Sequence, residues 1–210
     1  RQDEQGASLE ILQLADMSIA LPAEVGSGTL HVETDYPASG TLHLRLAPLH
    51  AADGARLGVR IPGWVRSGTL SPAGGPQRPL SSEELGAQRL ELPLAEADGT
   101  IIVLDMPPRW TASHPRVDAT RGCVALERGP LVHCIEQVDL PGGVEVDDLL
   151  VPAGATASAR EDGTLELSLR HRPSGGELYR SLDGQEASEA DAESVTVTAV
   201  RFSRWGNRGP

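Results

Sequence analysis

Lysine is absent from this 210-residue chain, and all 18 of its basic residues are arginine. Set against 30 acidic residues they leave a net charge of −12, which excludes nucleic acid as a partner, because phosphate neutralisation needs a surplus of positive charge. The arginines are scattered through a chain rich in Ala, Gly and Pro, so they read as compositional bias and not as a binding device. Cysteine is nearly absent too. Cys123 and Cys134 are too few for a disulfide framework. They flank Arg128-Gly129-Pro130, where a turn makes a cross-strand disulfide geometrically conceivable, although buried free thiols packing as small hydrophobes are the commoner use. No histidine pair stands at metal spacing, so neither cysteine belongs to a zinc site. No apolar run approaches the roughly 18 residues of a membrane span. The expectation is a soluble, cytoplasmic chain with no membrane partner. It starts at Arg1 and not at Met, and reads as cut from something longer.

What is present is a succession of short apolar or alternating runs punctuated by Gly, Pro, Asp and Asn, the pattern of strands and turns. In Thr41-Leu42-His43-Leu44-Arg45-Leu46 the alternation is strict, which places the leucines on one buried face and the other residues on a wet one. Helix signals are weak. The best is Ser81-Ser82-Glu83-Glu84-Leu85, where Ser81 caps one short turn. A dozen strands with almost no helix predict an all-β fold, an antiparallel, jelly-roll-like β-sandwich. After Leu140 the composition shifts, residues 141 to 195 holding 12 acidic and 4 basic residues. On that basis residues 1–140 with 194–210 form the first sandwich, and 141–193 a smaller acidic β unit inserted in it. Residues 183–193 have almost nothing to bury and are expected as a flexible loop.

Catalysis demands converging groups, and none announces itself. The carboxylates are too numerous for any pair to stand out, and the six histidines are isolated. A nucleophile elbow and a phosphate-cradling glycine loop are both missing. No residue is assigned a catalytic or metal-binding role. The aromatics are sparse, only Trp64, Trp110, Trp205, Tyr36, Tyr179 and Phe202. Each tryptophan lies beside a turn or an Arg and Pro cluster, a setting that suits stacking on a sugar face or, in preference, anchoring one domain on another.

Several segments occur in a familiar order: Thr34-Asp35-Tyr36-Pro37 with Gly40, Arg60-Ile61-Pro62-Gly63-Trp64, Leu104-Asp105-Met106-Pro107-Pro108-Arg109, and His114-Pro115-Arg116-Val117. The most specific is Arg121-Gly122-Cys123-Val124-Ala125-Leu126-Glu127-Arg128-Gly129-Pro130-Leu131-Val132-His133-Cys134-Ile135-Glu136, and the chain closes on Arg204-Trp205-Gly206-Asn207-Arg208-Gly209-Pro210. Together these resemble the C-terminal β-sandwich region of glycoside hydrolase family 127, the β-L-arabinofuranosidases. The resemblance implies a parent enzyme whose (α/α)6 barrel carries the active site, with a cysteine nucleophile on a zinc ion. Neither Cys123 nor Cys134 lies in a matching motif, so no cofactor is expected in this chain and zinc belongs to the barrel. The implied role is a non-catalytic accessory region, inactive alone, that braces the barrel and shapes substrate access. The alternatives are an autonomous carbohydrate-binding module for arabinose-containing glycans and a structural or adhesive sandwich with no sugar ligand. The candidate substrate-binding or interdomain residues are Trp64, Trp110, Trp205, Asn207 and Arg208.

Overall fold

The alternating runs form strands as their periodicity requires. The computed structural model describes residues 2–3, 6–173 and 192–207, the side chains of residues 2, 3, 6 and 49 excepted. The chain divides into two compact units, Arg1–Met106 and Pro107–Pro210.

Unit 1 comprises β1 (Gln2–Asp3), β2 (Gly6–Ile11), β3 (Met17–Ala20), β4 (Gly26–Glu33), β5 (Thr41–Ala51), β6 (Arg56–Arg60), β7 (Gly68–Ser71), β8 (Arg78–Pro79), α1 (Ser82–Ala87), β9 (Arg89–Pro93) and β10 (Ile101–Leu104). They build a four-stranded sheet in the order β1-β2-β6-β9 and a six-stranded sheet in the order β3-β4-β5-β10-β7-β8. Pairing is antiparallel except between β2 and β6, which run parallel. Leu42, Leu44 and Leu46 of β5 are buried while His43 and Arg45 are exposed, as the alternation demands. They meet Ile11, Leu57, Val59, Leu90 and Leu92 of the other sheet in one hydrophobic core. This is a β-sandwich. Gly40 lets β5 start against β10, because a Cβ there would lie 2.0 Å from the Leu104 carbonyl oxygen.

The single α-helix among the described residues is held at its N-terminus. Ser81 Oγ accepts from Glu84 N (3.1 Å), and the Glu84 carboxylate accepts from Ser81 N (2.6 Å), a complete capping box. Arg78 closes on the same carboxylate at 2.6 Å. Those hydrogen bonds, that from Arg78 first, hold the Glu84 carboxyl down to about 2.

Unit 2 comprises β11 (Pro108–Ala112), β12 (Val124–Arg128), β13 (Leu131–Ile135), β14 (Leu149–Leu150), β15 (Ala157–Ala159), β16 (Leu165–His171) and β17 (Glu193–Arg201), in one antiparallel sheet. The order is β11-β12-β13-β17-β16-β14, with β15 also paired to β16. At one end of the sheet Trp110 Nε1 donates to the carbonyl of Ala155, just before β15, over 2.9 Å. The sheet therefore curls around a small core of Leu126, Leu165, Leu167, Leu169, Val197 and Ala199.

The expected boundary at residue 140 is corrected by this sheet. Residues 107–140 do not belong with the first sandwich, and the acidic stretch is not an insertion. β13 pairs with β17, and β17 with β16, so both sides of the composition shift share one ladder. In β16 the leucines at 165, 167 and 169 are buried and Glu166, Ser168 and Arg170 face outward. The acidity marks wet faces and turns, not a separate unit. Of the loop expected at 183–193, residues 183–191 lie outside the described residues. Ala192 is buried, and Glu193 opens β17.

Candidate functional site

Each tryptophan is placed by its local chain. In unit 1, Val65 N donates to Pro62 O at 3.0 Å, closing the turn that carries Trp64, and Trp64 packs half-buried against the sandwich core. Trp110 faces inward from β11, opposite Leu126. It lines a cleft of about 1070 Å³ on the concave side of the unit 2 sheet. The floor is apolar, with Leu126, Ile135, Leu167, Leu169 and Ala199, and Cys123 and Cys134 also line it. The two cysteines are thiols and form no disulfide.

Trp205 behaves differently. A 3-10 turn over Phe202–Arg204 follows β17, and residues three apart in such a turn eclipse one another. Phe202 and Trp205 therefore stack, their ring centroids 5.9 Å apart and their planes 7° from parallel. Phe202 is 57% exposed and Trp205 60%. The turn is tied down behind them: Gly206 N donates over 2.8 Å to Glu136, whose carboxylate is buried at the end of β13. Asn207 is exposed in the same turn, its N–H donating to Arg204 O at 3.3 Å. Arg208 lies outside the described residues. The structure thus brings Trp205 and Asn207 together on one fixed, exposed turn, whereas Trp64 and Trp110 pack against the cores of their own units. Sequence reasoning missed Phe202 as a partner of Trp205. Its signal was the three-residue spacing.

Two further groupings bear on chemistry. Asp16, Glu33 and Asp35 border a pocket of about 280 Å³ with Thr34, Ser39, Thr41 and His43. Two of these carboxylates already have partners within the unit, Asp16 accepting from Thr34 N (3.4 Å) and Glu33 from Arg45 (2.9 Å). In the cleft of unit 2, His133 is buried and its imidazole is pushed below the usual histidine range, by burial first and by Arg201 and Arg128 nearby. Among the described residues no three His, Cys, Asp or Glu side chains converge to hold a metal ion. The described helices include none long and apolar enough to cross a membrane.

Residues 108–210 match the glycoside hydrolase family 127 C-terminal domain. Over 208 residues the chain is 31% identical to a non-reducing end β-L-arabinofuranosidase of Bifidobacterium longum subsp. longum, spanning 93% of this chain and 31% of that protein. A solved glycoside hydrolase structure superposes with a TM-score of 0.75 at 28% identity, covering 96% of this chain and 34% of the other. A family 127 β-L-arabinofuranosidase from Geobacillus stearothermophilus T6 gives 0.74 at 25% identity, covering 100% of this chain and 33% of the other. The chain spans about a third of the length of each of these relatives.

Proposed function

Residues 108–210 belong to glycoside hydrolase family 127 as its C-terminal domain, and on that footing we propose that the chain is the non-catalytic accessory region of a β-L-arabinofuranosidase-like enzyme. Its role is to brace the (α/α)6 catalytic barrel and to shape substrate access. The observation that carries this reading is the Phe202–Trp205 stack. Two large rings more than half exposed, fixed by the Glu136 anchor, form a preorganised apolar anchor of the kind buried at domain contacts. The zinc ion that the resemblance implies does not fit the described residues, since no three metal-ligating side chains converge. Zinc and the nucleophile belong to the barrel.

Incubating the 210-residue chain with an aryl β-L-arabinofuranoside, with and without zinc, gives no turnover if this reading holds. Clear turnover overturns it. In the parent enzyme, Trp205→Ala lowers the temperature at which activity is lost and leaves KM unchanged.

A second reading draws on the same exposed rings, since an aromatic face also stacks on the C–H face of a sugar. The chain is then a carbohydrate-binding module for arabinose-containing glycans. Calorimetry with arabino-oligosaccharides separates the two: binding by the 210-residue chain that Trp205→Ala abolishes favours the module.

A further inference from the structure

Arg128 ends β12, His133 lies within β13, and Arg201 ends β17. In the ladder His133 stands opposite Arg201 on one side and opposite Leu126 on the other. Leu126 and Arg128 are two residues apart, so the strand alternation puts all three side chains on the same, concave face.

The polar atoms of His133 and Arg201 are incompletely partnered. His133 is 5% exposed. Its Nε2 lies 3.3 Å from the Gly163 carbonyl oxygen, while its Nδ1 is buried with no hydrogen-bond partner. The Nε of Arg201 is likewise buried without one. Among the described residues no carboxylate pairs with the Arg201 guanidinium. That group lies against Gly163, where a Cβ would fall 2.6 Å from Nη2 and 3.1 Å from Cζ, and where φ is +81°. Glycine is required there both for its backbone conformation and for the guanidinium's close approach. Nearby Asp162 does not answer the charge. Its carboxylate accepts from Thr164 N and Oγ1 at 2.9 and 2.7 Å, and the cations acting on it are Arg160 and Arg204.

Two guanidinium groups thus flank a histidine in a chain of net charge −12, without an acid set against Arg201. Both arginines are half-buried, so a guanidinium stem enclosed by the sheet still leaves its tip within reach of solvent. Guanidinium forks match the geometry of tetrahedral oxyanions and bind them by charge-assisted hydrogen bonds. We propose that Arg128, His133 and Arg201, with the Gly163 turn beneath them, form a binding site for a small doubly charged oxyanion of the sulfate or phosphate class. Two fixed positive charges favour a dianion over a monoanion. Binding it also offsets the repulsion that disfavours protonated His133.

The test is calorimetry of the 210-residue chain titrated with sulfate, phosphate or acetate against chloride at constant ionic strength, together with the NMR titration of the His133 ring. The site predicts saturable millimolar binding of sulfate and phosphate, weaker binding of acetate, and a His133 midpoint that rises when sulfate is present. Arg201→Gln weakens binding by about tenfold or more and abolishes the rise, and Arg201→Lys restores part of both. Sulfate no different from chloride, acetate as tight as sulfate, or Arg201→Gln binding like the parent chain each overturns the proposal. Should Arg201→Gln fail to fold, the unsubstituted chain's heats and His133 midpoint decide alone.

Discussion

Unit 1 and unit 2 are nearly the same length, but they are stabilised differently. Unit 1 closes two sheets over one core of 21 buried hydrophobic residues, whereas the described core of unit 2 has six. Of the buried polar or charged residues, unit 1 holds Thr100, and unit 2 holds His133, Glu136 and His171. A sandwich covers its apolar faces with each other. A single curled sheet must leave part of its concave face open, and here that part is the cleft bordered by Trp110 and His133. The contrast assigns stability to the first half of the chain, and exposed rings and unpaired polar groups to the second.

The sharpest way to break this comparison is to cut equivalent leucines. Leu44 is fully buried at the centre of β5, so Leu44→Ala leaves a cavity with little room to collapse and costs about 3–4 kcal/mol. Leu126 is 4% exposed and already lines the cleft. Because part of its surroundings is open space, Leu126→Ala costs less, about 2 kcal/mol. Urea denaturation of both variants measures the difference, and equal losses remove the distinction between the cores. Third in size is Glu84→Gln, which removes the ion pair with Arg78 and weakens the capping box. With Arg78 43% exposed, water screens the pair and the cost at neutral pH is about 1 kcal/mol. The Glu84 pKa is lowered in the folded state, from 4.5 to about 2, so its contribution is complete above pH 4.5 and lost as pH falls towards 2. Across that window the gap between the unsubstituted chain and Glu84→Gln closes.

How legible each half was follows from the range of the interactions involved. The β5 alternation and the Ser81 cap are local, and both read correctly from neighbouring residues. All-β character followed from the same signals. The domain boundary did not, because it depends on β13 pairing with β17 more than 60 positions away in sequence, and composition says nothing about such a ladder. The acidic residues after Leu140 were mistaken for a unit because charge records exposure, not connectivity. The parallel contact of β2 with β6 is hidden for the same reason. In the candidate site, Trp205 was visible as a rare aromatic, but the Phe202 stack and the Glu136 anchor required the turn and the strand end to be placed.

The smallest expected effect distinguishes the units by pH. His133 has its folded pKa lowered from 6.5, chiefly by burial, with Arg201 and Arg128 adding to the shift and the Gly163 and Leu131 carbonyls opposing it. Between pH 6.5 and the folded value the unfolded chain binds the proton and the folded chain does not, so stability falls as pH drops below 6.5. Unit 2 therefore starts to weaken at a pH where the Glu84 contribution in unit 1 is still complete. His133→Gln keeps a polar group in place but does not titrate, so its urea midpoint stays flat between pH 7 and pH 5 while that of the unsubstituted chain declines. A decline that survives His133→Gln moves the acid sensitivity to another group, and with it goes the claim that the polar interior of unit 2 sets its weaker hold.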